Sequence, residues 1–196
     1  DVEVWAQRIS YVGELVFELY VKKENALKLF DILMDKGKTY KISLCGMHAM
    51  DIMRMESGYL HWGHDISPEE NQFEAGLNFA VSFKKNINFI GRAALEKKRD
   101  KKVHKKFKML ILNNSKEGAP LLLHDEPIYL KDKIVGRTTS GCYSFNYNKN
   151  LAFGYINSGL SSDQIDKQAF EIEVEKKKYA ASVITRPLND KKLSSL

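Results

Sequence analysis

The 196-residue chain is 43% hydrophobic and carries a formal net charge of +6. That length and apolar fraction suit one or two packed cores, and no apolar run approaches the ~20 residues of a membrane helix, which excludes disordered and helical membrane classes. Two widely separated cysteines, Cys45 and Cys142, have no metal-type spacing. With no visible signal peptide, free thiols and a cytoplasmic location are the expectation.

In chain order, Trp5 to Tyr11 and Leu15 to Val21 read as a tight β-hairpin around Gly13. Past that glycine, Leu15, Phe17, Leu19 and Val21 point one way, and Val16, Glu18 and Tyr20 the other. A carboxylate in an apolar strand is costly if buried without a donor. A pterin ring is one candidate partner. Two adjacent N–H groups on its edge match the carboxylate of Glu18, and its flat face suits an aromatic such as Tyr11. Exposure of Glu18 on the wet face of an edge hairpin is the alternative.

Ala26, Leu29, Phe30 and Leu33 recur at i, i+3, i+4 and i+7, predicting an amphipathic helix over 24–36 that ends at Gly37. Residues 46–57 form a second predicted helix. His48, Asp51 and Arg54 recur every three residues along one side of it, and Asp51–Arg54 is expected as a local ion pair. Its methionines, Met47, Met50, Met53 and Met55, read as adaptable core. His61, Trp62, His64 and Asp65 follow in a loop. Two histidines and an aspartate suit a metal, but no second ligand cluster follows, so no metal is expected. Loop packing competes with an inward-facing role.

A third helix is predicted near 91–100, followed by the basic run Lys97, Lys98, Arg99, Lys101, Lys102, Lys105, Lys106 and Lys108. A solvated linker is the expectation, with nucleic-acid binding as the competing use. From Phe107 the texture changes to short strands at 107–112, 127–131, 133–138, 151–156, 170–175 and 178–186. Asp132 supplies one turn, Gly136 interrupts the third strand, and a single helical turn is possible near Ser161 to Asp166. Such spacing suggests a small antiparallel barrel. Ser140 lies in Thr-Ser-Gly rather than a nucleophile elbow, so hydrolase chemistry has no support.

Five segments, read in order, carry a family resemblance. They are Gly46-Met-His-Ala-Met-Asp-Ile-Met-Arg-Met-Glu-Ser-Gly-Tyr59 with His61-Trp-Gly-His-Asp-Ile-Ser-Pro-Glu69, Glu74-Ala-Gly-Leu77, Phe89-Ile-Gly-Arg-Ala-Ala-Leu95, Val135-Gly-Arg-Thr-Thr-Ser-Gly141 and Ala152-Phe-Gly-Tyr-Ile156. The chain resembles the glycine-cleavage T-protein (aminomethyltransferase) family over residues 3 to 190. It looks most like the folate-binding C-terminal region of sarcosine and dimethylglycine dehydrogenases. The resemblance implies tetrahydrofolate as cofactor, with Tyr11 and Glu18 matching the family's folate-contacting tyrosine and glutamate at the same seven-residue spacing. It also implies Trp62 as a wall of the folate cavity, with His64 or Asp65 turned inward. Two departures stand out: Gly13-Glu-Leu-Val16 replaces the family's Gly-Glu-Asp-Gly, and Met50 replaces the arginine that T-proteins proper carry. The family's catalytic aspartate would precede Asp1, so no catalytic residue is assigned within the chain.

The expected architecture is α+β. A mixed sheet with packed helices, of ferredoxin-like type, occupies 1–103, and a small antiparallel β-barrel occupies 104–196. The expected function is the C-terminal portion of a folate-binding protein that transfers a one-carbon unit from an amine to tetrahydrofolate. Expected partners are folate, a small amine, and either a missing N-terminal half or a homo-oligomer mate, with no nucleic acid and no membrane. A non-catalytic folate-binding module and a basic RNA-binding domain are the alternatives.

Overall fold

The computed structural model describes residues 1–99, 101–114 and 116–189. The described residues form two compact units, residues 1–59 with Leu188 and Asn189 in one and residues 60–187 in the other. The architecture is α+β followed by a closed antiparallel barrel, as the hydrophobic periods lead one to expect.

In the first unit, β1 (Trp5–Gln7) pairs antiparallel with β2 (Glu18–Tyr20), in the register Trp5↔Tyr20 and Gln7↔Glu18. The connection is longer than a tight hairpin. Residues 11–15 form bends, Gly13 adopts a positive φ of 71°, and the Val12 carbonyl accepts the Ser57 hydroxyl at 3.1 Å. A carbonyl engaged by a side chain leaves the strand ladder, so Tyr11 sits in the loop rather than on a strand. Two helices follow, α1 (Ala26–Gly37) and α2 (Met47–Glu56). Much of the apolar surface of α1 is open among the described residues: Leu27, Phe30, Ile32 and Leu33 are exposed, and Leu29 is half-buried. On the hairpin, Trp5, Leu15, Phe17, Leu19 and Tyr20 are exposed too.

The second unit opens with a long irregular segment and α3 (Arg92–Arg99). Arg92 secures the loop before that helix by donating to the carbonyls of Phe83, Lys85 and Ile87. Six strands then close the barrel: β3 (Lys106–Leu112), β4 (Pro127–Leu130), β5 (Lys133–Ser144), β6 (Lys149–Ile156), β7 (Ala169–Val174) and β8 (Lys177–Ile184). Their order around the wall is β3-β6-β5-β4-β7-β8, and β8 returns to β3. Two hairpins use two-residue turns with positive φ at both central positions, Lys131-Asp132 and Glu175-Lys176. This turn class follows the right-handed twist of the strands.

Alternation builds the barrel core. Phe170, Ile172 and Val174 of β7 point inward with Leu110, Leu112, Ile128, Ile156 and Ala181. At about 25 cal/mol per Å² of apolar area, such side chains contribute roughly 1.5–3 kcal/mol each. Ile165 joins them from α4 (Ser162–Ile165), a single turn fixed by a capping box between Ser161 and Gln164. Gly136 does not end the third strand, which continues as β5 to Ser144, but the β4–β5 register shifts there, from Ile128↔Gly136 to Tyr129↔Ile134. Glycine instead permits close strand approach: a Cβ there would lie 1.9 Å from the Tyr155 carbonyl oxygen. A register shift between Thr138 and Ser140 lets the long strand keep bending around the wall.

Candidate functional site

The first unit gathers Tyr11 beside the C-terminal end of α2. Gly58 turns the chain with a φ of 75°, and the Tyr59 amide donates back to the Arg54 carbonyl at 2.9 Å. Buried Arg54 donates to Asp51 at 2.7 Å and to the Tyr59 carbonyl at 3.2 Å. The expected local ion pair is therefore also a brace for Tyr59. Ser57 donates to the Val12 carbonyl and accepts from Asn189 at 3.0 Å. Together these bonds fix the Tyr11 loop against the helix end. The Tyr11 and Tyr59 rings lie 6.2 Å apart, nearly parallel at 13°. Both residues are half-buried, which leaves aromatic surface for a flat ligand.

Glu18 stands on the hairpin, opposite Gln7. It is exposed within this chain and accepts the Tyr20 hydroxyl at 2.5 Å. That hydrogen bond, with the carboxylate charge, raises the Tyr20 phenol above its ordinary value. The Tyr20 ring packs 5.1 Å from Trp5. A carboxylate has about four acceptor sites, so Glu18 keeps capacity for further donors.

In the second unit, His61 to Ile66 form a tight turn, with the amides of His64 and Asp65 directed at the His61 carbonyl. Asp65 is the inward-facing member. It is fully buried. One carboxylate oxygen accepts from Thr139 at 2.5 Å and Ser140 at 2.8 Å, and the other accepts from the His61 amide at 2.9 Å. The Tyr155 hydroxyl donates to the Asp65 carbonyl at 2.8 Å. Burial, followed by the nearby charges of Glu70, Asp65 and Glu74, pushes the Tyr155 phenol strongly upward, so it remains a proton donor. Asp65 thus fastens the loop to the barrel wall. Trp62 lies on the outside of the turn, 66% exposed. His64 is also exposed, with its ring 4.5 Å from His61 and 6.4 Å from His124. Among the described residues, no group of three or more His, Cys, Asp or Glu is placed to hold a metal ion.

His64 stands at the edge of a cavity of about 500 Å³ between this loop and the barrel. Arg137, Thr139 and Tyr155 form part of its wall, and Glu69, Glu70, Lys105 and Asp125 ring it. Lys105 pairs with Glu70 and lies 4.8 Å from the centre of the Tyr155 ring. Arg137 pairs with Asp125 at 2.8 Å. Burial pushes the Glu70 carboxyl up, but hydrogen bonds from Lys105 and Ser67 outweigh it and hold the group below its usual range. Asp125 is lowered by the hydrogen bond to His124 and by Arg137, against a smaller effect of burial.

Sequence reasoning missed Tyr59 and this cavity. Tyr59 follows the Ser-Gly that ends α2, a signal for a turn and not for an aromatic pair. Arg137 and Asp125 lie on either side of the β4–β5 hairpin and meet through its register. The basic run divides. Lys105, Lys106 and Lys108 are engaged by Glu70, by the carbonyls of Val103 and Leu160, and by Asp166 with Ser162. Lys97, Lys98, Lys101 and Lys102 are exposed. Both cysteines are free thiols, Cys45 exposed and Cys142 buried. No described helix is long and apolar enough to cross a membrane.

Comparison with known proteins agrees with this architecture. Residues 1–85 match the GCVT N-terminal domain model, and residues 105–190 match that of the glycine cleavage T-protein C-terminal barrel domain. Human mitochondrial dimethylglycine dehydrogenase is 36% identical over 191 residues, which are 96% of this chain and 21% of that protein. An aminomethyltransferase of Listeria innocua is 32% identical over 186 residues, 95% of this chain and 48% of that protein. Among solved structures, the glycine cleavage system aminomethyltransferase T of Bartonella henselae superposes with a TM-score of 0.80 at 22% identity. That alignment covers 94% of this chain and 49% of the other, and it speaks to the fold. The chain therefore spans about a fifth of the dehydrogenase and about half of the aminomethyltransferases.

Proposed function

Since the chain belongs to the glycine-cleavage T-protein (aminomethyltransferase) family, we propose that it is a tetrahydrofolate-binding portion of a protein that transfers a one-carbon unit from an amine to folate. The parallel Tyr11–Tyr59 pair carries this reading. A pterin is flat and polarisable, and aromatic faces held in place by backbone bonds lose little freedom on receiving it. Glu18 would accept the adjacent N–H groups of the pterin edge, with charge-assisted bonds fixing its orientation. Its acceptance of the Tyr20 hydroxyl supports a role for this carboxylate as an acceptor. Trp62 and His64, the other two residues that the family resemblance implies, would add an aromatic face and a polar group.

Bound tetrahydrofolate would supply the nucleophilic nitrogen that takes up the one-carbon unit. The residues named here bind and orient. The acid–base work, and the covering of the bare apolar faces of β1, β2 and α1, would fall to a part of the relatives that this chain does not span or to a partner chain. Large apolar patches are rarely left open to water.

The test is a tetrahydrofolate titration of the protein, paired with an assay of one-carbon transfer. Glu18→Gln is expected to weaken folate binding about tenfold or more, the loss of hydrogen bonds to a charged acceptor. Tyr59→Ala is expected to weaken it as well, while Tyr59→Phe keeps the stacking face. Unchanged affinity in Glu18→Gln and Tyr59→Ala would overturn the reading. Folate binding with no transfer to it would identify a binding protein instead of a transferase.

A further inference from the structure

The cavity between the 63–70 loop and the barrel shares only His64 with the folate reading, and the rest of its lining is chemically specific. Its volume of about 500 Å³ suits a small molecule. Pro127, Ile134 and Gly136 contribute apolar surface to its wall, and five charged side chains share the lining. Two are cationic, Lys105 and Arg137, and three are anionic, Glu69, Glu70 and Asp125.

Two of the five are available. Lys105 and Glu70 are bound to each other, and Lys105 is further held over the Tyr155 ring. Asp125 is shared between Arg137 and His124. Arg137 donates through one guanidinium nitrogen to Asp125, and its side chain is 73% exposed. A guanidinium has five N–H donors, so most of its fork remains to be used. The Glu69 carboxylate is exposed and has no hydrogen-bond or ion-pair partner among the described residues.

Charge then selects the ligand class. A simple anion drawn to Arg137 would also face three carboxylates. A simple cation drawn to Glu69 would face Lys105 and Arg137. A ligand with both poles meets an attractive partner at each end and adds no net charge to a nearly balanced rim. The geometry points to this cavity as a binding site for a zwitterionic amino acid, its carboxylate on the Arg137 fork and its ammonium on Glu69. The volume leaves room for a side chain over Pro127 and Ile134.

A saturation-transfer NMR titration of the protein, run without folate, tests the site with L-alanine as probe. Propionate carries only the anionic pole and ethylamine only the cationic one. L-Alanine is expected to bind saturably. Arg137→Gln and Glu69→Gln, both at exposed positions, are each expected to weaken it about tenfold or more. Propionate and ethylamine are expected to bind at least about tenfold more weakly than alanine. Circular dichroism of the two variants verifies that the fold is retained. Equal binding of either single-charge probe overturns the zwitterion assignment. Absence of saturable binding by alanine up to ~50 mM, or unchanged binding in both variants, overturns the site. Because folate is absent from the titration, either failure is distinct from a failure of the folate reading.

Discussion

Replacing Asp65 with alanine should loosen the loop that carries Trp62 and His64. The carboxylate is fully buried and receives Thr139, Ser140 and the His61 amide at 2.5, 2.8 and 2.9 Å. Hydrogen bonds to a charged group contribute about 1.5–3 kcal/mol each, so three give a gross effect of roughly 4.5–9 kcal/mol. Removing the charge also relieves its own burial, which opposes folding by several kcal/mol. The net loss is about 3 kcal/mol, much of it from the donors that lose this shared acceptor. For a chain of this size that lowers Tm by roughly 6–12 °C. Asp65→Asn is the informative companion. Its amide oxygen still accepts from Thr139 and Ser140, but its NH2 meets the His61 amide donor to donor, so it should lie between wild type and alanine. Urea unfolding followed by far-UV circular dichroism reads both variants. An Asp65→Ala protein within about 0.5 kcal/mol of wild type would refute the idea that this carboxylate fastens the loop, since that is the range of an ordinary surface change.

In the barrel core, Phe170→Ala should cost about 3–5 kcal/mol through the cavity it leaves, measured as a fall in the urea midpoint at constant slope. The Glu175-Lys176 turn holds two side chains at positive φ, so Glu175→Asn with Lys176→Gly should stabilise by about 1 kcal/mol in the same assay; a loss of stability would contradict the turn geometry. Glu70 sits below its ordinary value in the folded state, so its contribution is fully present above its unfolded value near 4.5 and is lost as pH falls through the lower folded value. Glu70→Gln should accordingly flatten the acid limb of the stability profile, and an unchanged limb would count against the pairing. Glu18→Gln should return the Tyr20 phenol toward its ordinary titration, read by tyrosine-selective NMR, because the hydrogen bond that raises it is weakened.

The barrel was legible because its evidence is local. Alternation in Phe170-Glu-Ile-Glu-Val174 assigns each side chain to a face, and all six predicted strands appear within a few residues of their expected ends. The exception is β5, where Gly136 reads as a break in one dimension and serves as a point of close strand approach in three. In the first unit the helical stripe of Ala26, Leu29, Phe30 and Leu33 gave the right helix. It could not reveal that much of the stripe stays exposed among the described residues, because a hydrophobic period states which face seeks burial and not what supplies it. The hairpin loop escaped for another reason: a single hydroxyl, Ser57, captures the Val12 carbonyl from far along the sequence. Tyr11 and Glu18 were singled out by spacing. The structure adds their surroundings, the Tyr59 ring for one and the Tyr20 hydroxyl for the other.

Closure of the barrel through β3 and β8 sets a clock on folding. Met109 to Leu112 of the first barrel strand pair with residues Ala181 to Ile184 of the last. During synthesis β3 emerges early, yet half of its ladder has no partner until β8 has left the ribosome. Adjacent hairpins such as β4–β5 and β7–β8 can form as they appear, since their turns are two residues long. The seam must wait. A nascent chain stopped short of Tyr179 therefore keeps an open strand edge, the kind of surface that invites pairing with another chain. The finished barrel has no such edge, so the hazard exists only in time.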